Sequence, residues 1–329
     1  MNFFYFILFF PFLTPHPPYK KIQLSGFAQG TTWHINYFSP DSTVTQSQID
    51  SILNKIDSSL SLYKSYSTIN KFNNAEYGCI IDNHFIAVIK KSLATYKDTK
   101  GIFDITVQPL VKAWGFGNKK IDHLPDSIEI KSLLACIGSN RICLKKNMLF
   151  KKDPCITIDL NGIAQGYTVD VLADFLLSRK IVNFIVEVGG EIRIKGHRKP
   201  SEELMKIGIE SPADNESDDP FMQKIISPEN GAVTTSGSYR KFYERNGKKL
   251  NHLIDPSTGY PVNNELISVT VFAKDAITAD AYDNALMVMG LKKALAFVEA
   301  RKELAAYFIY NNKGTITDSS SKRFKKLFK

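Results

Sequence analysis

Six short segments of the chain gather glycines, hydroxyls and carboxylates where a regular element should begin or end. They are Gly101-Ile102-Phe103-Asp104, Asp159-Leu160-Asn161-Gly162-Ile163-Ala164-Gln165-Gly166-Tyr167, Glu187-Val188-Gly189-Gly190-Glu191, Thr235-Ser236-Gly237, His252-Leu253-Ile254-Asp255-Pro256-Ser257-Thr258-Gly259 and Ala279-Asp280-Ala281-Tyr282-Asp283-Asn284-Ala285. Glycine lets backbone amides approach a ligand closely, and helix N-termini carry N–H groups without intrahelical partners, so such segments suit an anionic ligand. None identifies a site alone. Asp280 and Asn284 are four residues apart, so on a helix they share a face and can place two oxygens on one hard cation. On spacing alone the preferred reading is the plainer one, an aspartate helping to charge a first helical turn beside an exposed asparagine.

Periodicity indicates the elements that must position these segments. Residues 22–38 alternate as a strand pair broken at Gly30-Thr31-Thr32, and Ser47 with Asp50 predicts a capping box for a helix whose inward face is Ile49, Ile52, Leu53, Ile56 and Leu60. Further helices are expected over 83–97 and 127–137. Residues 156–160 read as a strand entering, through Asn161-Gly162, a helix that carries Tyr167, Val171, Leu172, Phe175 and Leu176. A hairpin turns at Gly189-Gly190, a polar loop spans 211–220, and a strand spans 267–273. Thr278 is expected to cap the helix of Asp280, and residues 307–316 form a last hairpin. Strands and helices mix without a βαβ period or an internal repeat, which predicts an α+β fold of mixed sheets and helices in two intimately packed lobes.

The chain has 329 residues, 43% of them hydrophobic, enough for a large core and incompatible with a disordered or fibrous protein. The net charge of +9 fits an anionic ligand or an anionic membrane surface; no RNP, KH or zinc-finger signature accompanies it, so nucleic acid is not an expected partner. Residues 3–13 are almost entirely apolar but too few to span a bilayer, so residues 1–18 read as a signal peptide or N-terminal membrane-targeting segment. Residues 319–329 form a basic tail, expected to be solvated and frayed, with a surface anchor as the other reading. The four cysteines, Cys79, Cys136, Cys143 and Cys155, lack zinc-ligand spacing; buried free thiols are expected, with Cys136 and Cys143 able to pair in an oxidising compartment.

In order and spacing, the six segments resemble the ApbE-like family of FAD:protein FMN transferases. Gly30-Thr31-Thr32-Trp33, Ser61-Leu62-Tyr63, Pro109-Leu110-Val111, Trp114-Gly115-Phe116-Gly117 and Ser268-Val269-Thr270-Val271 extend the resemblance from about Gly26 to beyond Gly290. The resemblance implies one flavin transferase domain over residues 22–318, acting on FAD as flavin donor with Mg²⁺. It implies a metal site made by Asp280, Asn284 and the backbone carbonyl of Ala164. The family has threonine where this chain has Asn284, and lysine where it has Gln165. For FAD it points to Gln29 through its backbone, to Tyr63 beside the isoalloxazine, and to Ile102, Phe103, Asp104, Asn161, Tyr167, Ile254 and Asp283.

His252 is then the expected proton acceptor, because a neutral imidazole can take the proton of an attacking hydroxyl near pH 7. Asp255, three residues on, is expected to orient the ring or hold the loop. The implied reaction moves FMN from FAD to a threonine hydroxyl of an acceptor protein and releases AMP. By family analogy the acceptor is an exported domain of a membrane redox complex, such as an Rnf- or Nqr-type subunit, and the enzyme is exported, periplasmic or on the outer face of the inner membrane. With water as acceptor, the same site would be an FAD pyrophosphatase; without productive metal binding, it would be an exported FAD-binding protein.

Overall fold

The computed structural model describes residues 18–40, 44–117, 121–210, 222–238, 242–245 and 248–328. The expected targeting segment, except Pro18, and the expected polar loop over 211–220 lie outside the described residues. The chain opens with a hairpin, β1 (Lys20–Ala28) and β2 (Thr31–Ser39), turned at Gln29 and Gly30, both at positive φ. Helices α1 (Gln46–Leu60) and α2 (Thr68–Asn74) follow, then β3 (Gly78–Ile80), α3 (Asn83–Asp98), α4 (Gln108–Ala113), α5 (Ser127–Leu134) and the hairpin β4 (Ile142–Lys145) and β5 (Met148–Lys151). Next come α6 (Ala164–Ser178), β6 (Phe184–Val188), β7 (Glu191–Lys195), β8 (Ile207–Glu210), β9 (Met222–Ile226), β10 (Asn230–Gly237), β11 (Phe242–Arg245) and β12 (Lys248–Asn251). The last part holds β13 (Leu266–Ala273), α7 (Ala276–Met289), α8 (Leu291–Glu299), β14 (Ala305–Asn312), β15 (Thr315–Ser320) and α9 (Lys322–Lys325).

Eight strands make one antiparallel sheet in the order β1-β2-β6-β7-β10-β13-β14-β15. One face packs on helices: Trp33, Ile35, Val186 and Val188 meet Ile49 of α1 and Leu172 of α6, while Val269, Val271 and Phe308 meet Leu286 of α7 and Val298 of α8. The other face carries Phe38, Ile194, Val233, Tyr307 and Ile309, covered by the β8–β9 pair and by Phe324 of α9. A second lobe of α2, α3 and the small sheet β3-β5-β4 surrounds Phe72, Phe85, Ile89, Phe103 and Leu149. Ala281 and Ala285 of α7 belong to that second core, so α7 is packed on both sides and joins the lobes. The expected α+β class and two packed lobes are what the chain forms.

Several local expectations are corrected. Helix α1 begins earlier than expected: Thr45, not Ser47, is its cap, and Gln48 completes the capping box by accepting the Thr45 N–H at 3.0 Å. Asp275, not Thr278, caps α7 and accepts the Thr278 N–H at 3.0 Å. Among the described residues no strand pairs with 156–160, because the Asn73 side chain replaces one: Ile158 N–H donates to its Oδ1 at 2.8 Å and its Nδ2 donates to the Ile158 carbonyl at 3.0 Å. The helix expected over 127–137 stops at Leu134, where the backbone tightens into i to i+3 bonds through Ile137.

The cysteines also depart from expectation. Cys136 and Cys155 form a disulfide, Cα to Cα 5.6 Å, so neither is a free thiol and Cys136 does not pair with Cys143. Strand β4 turns Cys143 outward, where it is exposed; Cys79 is half-buried.

The C-terminal tail is not frayed, because its apolar residues complete the core beneath the main sheet. Ser321 caps α9, Phe324 is fully buried and stacked on Tyr307 with ring centroids 5.8 Å apart, and Phe328 meets both rings edge-on. Burying a phenylalanine to this extent predicts that Phe324→Ala lowers unfolding free energy by about 3–5 kcal/mol. Urea titration checks this; a loss under about 0.5 kcal/mol, the usual effect at an exposed position, would show that the tail contributes nothing.

Candidate active site

Helices α6 and α7 are apolar on most of their surfaces, as suits helices enclosed by protein. They cross at Gly166. A Cβ there would stand 2.4 Å from the Ala276 carbonyl oxygen and 2.7 Å from the Asp280 Cβ, so glycine is required for the close approach. The Gly166 N–H donates to Asp280 Oδ2 at 2.7 Å. One turn along α6, the Asp170 carboxylate accepts the N–H groups of Ala276 and Ile277, at 2.9 and 2.8 Å, and pairs with Arg193 at 2.5 Å. Those are the first two residues of α7, whose amides have no partner within the helix and whose dipole favours a carboxylate.

Asp280, Asp283 and Asn284 face the loop that leads into α6. Asn284 Nδ2 donates to Asp283 Oδ1 at 2.9 Å and lies 3.4 Å from the Gly162 carbonyl, while its Oδ1 accepts the Ser236 hydroxyl of β10 at 3.1 Å. The Ala164 carbonyl, the expected backbone ligand, accepts the Thr168 hydroxyl at 2.8 Å. Thr168 in turn accepts from Gln29 Nε2 at 2.9 Å. Gln29, expected to contact a ligand through its backbone, thus fixes its side chain on α6 and holds a left-handed backbone at φ 53°. Thr168, Asp170 and Ser236 act here without having been singled out individually. For Thr168 and Asp170 the signal in the sequence is a hydroxyl and a charge among the apolar positions of α6.

The electrostatics of this crossing are unusual. Asp280 is 3% exposed and Asp283 1%. Burial pushes Asp280 up to about 7, opposed by the Gly166 N–H and reinforced by Asp170; burial and the neighbouring Asp280 charge hold Asp283 well above the carboxylate range. Among the described residues no cation offsets either group. An oxygen-only set of the Asp280 carboxylate, the Asn284 amide oxygen and the Ala164 carbonyl fits a hard divalent cation, which would supply that missing charge. The amide oxygen has two lone pairs, so the Ser236 bond leaves one for a metal. Among the described residues no cluster of three His, Cys, Asp or Glu exists, so neutral oxygens have to complete such a set.

The expected flavin contacts divide into three groups. Phe103 is buried at the edge of the second core, within 4.0 Å of where a Cβ on Gly162 would lie, and Ile102 packs beside it. The Asp104 carboxylate is a hub, accepting the Thr106 N–H and hydroxyl at 2.8 and 2.6 Å and the Ser139 hydroxyl at 2.6 Å, so its side chain fixes the loop. Tyr167, on the first turn of α6, bonds His84 Nδ1 at 2.8 Å, and burial pushes its hydroxyl up to about 12. Asn161 is exposed, with its N–H on Asp159 Oδ1 at 2.8 Å, and Tyr63 is 72% exposed on a loop pinned by Asn70.

His252 and Ile254 lie on a separate loop after β12. The His252 ring meets Phe116 edge-on at 6.3 Å, and Ile254 is buried with Leu110, Trp114 and Ile130. Asp255 holds this loop: its N–H donates to the Tyr260 carbonyl at 2.9 Å, and its carboxylate accepts the Ser257 N–H and hydroxyl at 2.8 and 2.7 Å. Trp114 Nε1 clamps it from α4's end by donating to the Gly259 carbonyl at 2.7 Å.

The fold of this chain is shared with solved flavin transferases. The structure matches "Flavin Transferase ApbE from Vibrio cholerae" with a TM-score of 0.84 and 34% identity, covering 94% of this chain and 100% of that one. It matches the apo form of the Pseudomonas stutzeri flavinyl transferase ApbE with a TM-score of 0.85 and 30% identity, covering 94% and 98%. Among curated relatives, an FAD:protein FMN transferase of Vibrio cholerae serotype O1 is 37% identical over 87% of this chain and 86% of the relative, and one of Haemophilus influenzae is 36% identical over 94% and 92%. The family model described as the ApbE family matches residues 29–308, and the chain belongs to that family.

The raised carboxyls set a pH dependence of stability. Asp280 has an ordinary value of 3.8 unfolded and about 7 folded, so between these values the folded state binds the extra proton and acid favours folding. In a chelator, the melting temperature is expected to rise as pH falls from 8 to 5, and Asp280→Asn should flatten the rise. A profile unchanged by that substitution would remove the buried carboxyl as its source.

Proposed function

We propose that this chain performs its family's FMN transfer with Mg²⁺ at the α6–α7 crossing, His252 as proton acceptor and a threonine hydroxyl of an exported protein as acceptor. Its flavin transferase activity, with FAD as donor and a protein as acceptor, rests on its family membership and on relatives of 31–37% identity that share it. The observation that carries the finer reading is the pair of buried carboxyls at the crossing, which have no compensating cation among the described residues and sit among neutral oxygens. A site of that kind is complementary to a divalent cation brought in with a pyrophosphate.

The chain's own groups then divide the work. Asp280, Asn284 and the Ala164 carbonyl would hold Mg²⁺, which when bound offsets charge on the bridging and leaving phosphate oxygens. Phe103, Ile102 and Tyr167 supply apolar and aromatic surface for a flat ring, and Tyr63 stands exposed to close over it. His252 accepts the proton of the attacking hydroxyl at an imidazole nitrogen as the new oxygen–phosphorus bond forms and the bond to AMP breaks. The proton leaves with AMP, and the acceptor gains FMN less water. Asp255 and Trp114 keep the loop, and with it the imidazole, in place. The enzyme acts outside the cytoplasm on a membrane redox complex of Rnf or Nqr type; the apolar N-terminal run supports export and family analogy supports the acceptor.

His252→Ala is expected to retain FAD binding and to lower transfer at least 100-fold, read as acceptor mass gain and AMP release. Unchanged turnover would remove His252 from proton transfer. Asp280→Ala should lose activity and Mg²⁺ dependence together; a variant as active and as EDTA-sensitive as the parent would put the metal elsewhere. Free FMN and AMP without modified acceptor would favour hydrolysis over transfer.

A further inference from the structure

The small sheet β3-β5-β4 has an inner and an outer face that the register separates. Gly78 pairs with Phe150 and Phe150 with Cys143; Ile80 pairs with Met148 and Met148 with Lys145. Directly paired residues share a face, so Ile80, Met148, Phe150, Cys143 and Lys145 all stand on one side. Leu149, Leu144 and Cys79 stand on the other and pack into the second core. The outer face is therefore apolar yet unpacked: Ile80 is 68% exposed and Phe150 38%.

Its rim is basic. Residues 141–152 contain Arg141, Lys145, Lys146, Lys151 and Lys152 and no acidic residue. Lys151 is buried, but Lys145, Lys146 and Lys152 are exposed, and Lys145 Nζ lies 5.9 Å from the Phe150 ring centre. The three strands carry no carboxylate; the exposed Glu76 precedes them, and Asp153 is paired with Arg141. A protein partner for an apolar face needs no such one-signed rim. Exposed apolar side chains inside a ring of lysines match the two layers of an anionic bilayer surface: acyl chains for the former, headgroups for the latter.

We propose that this face, centred on Ile80 and Phe150 and rimmed by Lys145, Lys146 and Lys152, seats the enzyme on an anionic phospholipid surface. Among the described residues no helix is long and apolar enough to cross a membrane, and the C-terminal aromatic and basic run has its rings in the core, so neither offers this contact. The face backs the core that holds Phe103 and borders Tyr167, so seating it fixes the orientation of the site relative to the membrane. The inference rests on the reading that the acceptor is a membrane protein, but it is tested without transfer.

The full-length chain is mixed with vesicles of phosphatidylcholine alone or with 30% phosphatidylglycerol (roughly, by composition), and the bound fraction is measured by co-sedimentation at low and high salt. Binding is expected to need the anionic lipid, to weaken with salt, and to fall about tenfold or more in Lys145→Glu/Lys146→Glu. Ile80→Ser and Phe150→Ser should each weaken it at constant charge, while melting temperature and transfer to a soluble acceptor in vesicle-free buffer stay at the parent level. Equal partition of parent and charge-reversed chains would overturn the proposal, as would concentration-dependent self-association abolished by Phe150→Ser with no vesicle binding. Loss of transfer to the soluble acceptor in the parent chain would instead fault the functional reading.

Discussion

The close crossing of α6 and α7 at Gly166 is the contact on which the rest of the site depends. Removing the side chain at one position lets two buried helices approach until a backbone N–H of one reaches a carboxylate of the other. That approach sets the Ala164 carbonyl, Gly162 and the Asp280 to Asn284 turn against one another. It also brings Asp170 within reach of the first amides of α7. Two carboxylates thus satisfy orphan donors at two helix ends, and Arg193 balances only one of them. The other, buried at 3% exposure, has no cation partner among the described residues, an arrangement that costs folding free energy.

Rigidity around this crossing comes from both lobes. Leu286 is fixed by the main sheet and Ala281 by the second core, so α7 cannot shift without disturbing both. Interiors packed to crystal-like density transmit such constraints. The histidine loop is held differently, through a tryptophan N–H, an aspartate turn and the small Leu110, Trp114 and Ile130 cluster. The Cys136–Cys155 bond joins the end of α5, which belongs to that cluster, to the segment running into Asn161 and Gly162. A covalent tie therefore links the histidine side of the protein to the carboxylate side at a place where no strand pairing does so.

Much of this was legible in the sequence because it depends on local pattern. The faces of α1 and α3, the Gly189-Gly190 hairpin and the shared face of Asp280 and Asn284 follow from periods of 3.6 and 2. What stayed hidden is non-local. Residues 156–160 have a strand's composition, but Asn73, more than 80 positions away, takes the bonds a strand partner would have taken. The motif marks Asp104 as a ligand contact, and no local pattern shows that its carboxylate also anchors the loop through Ser139, 35 positions away. The aromatic and basic tail carries the composition of a surface segment, and only the vacancy under Tyr307 explains why its phenylalanines turn inward.

The same distinction explains why Asn284 is tolerable where the family carries threonine. Threonine at this position would offer one hydroxyl oxygen and a single donor. Asparagine separates the tasks: its nitrogen holds Asp283 and leans toward the Gly162 and Asp280 carbonyls, while its oxygen meets Ser236 with a lone pair to spare. The amide's donors also lessen the repulsion between two buried carboxyls that threonine's single hydroxyl could relieve only in part. A longer side chain needs room, and Gly162 provides it, since a Cβ at that position would stand 3.3 Å from Asn284 Nδ2. The glycine opposite thus leaves room for the asparagine, whose amide distributes its hydrogen bonds over Asp283, the Gly162 and Asp280 carbonyls and Ser236.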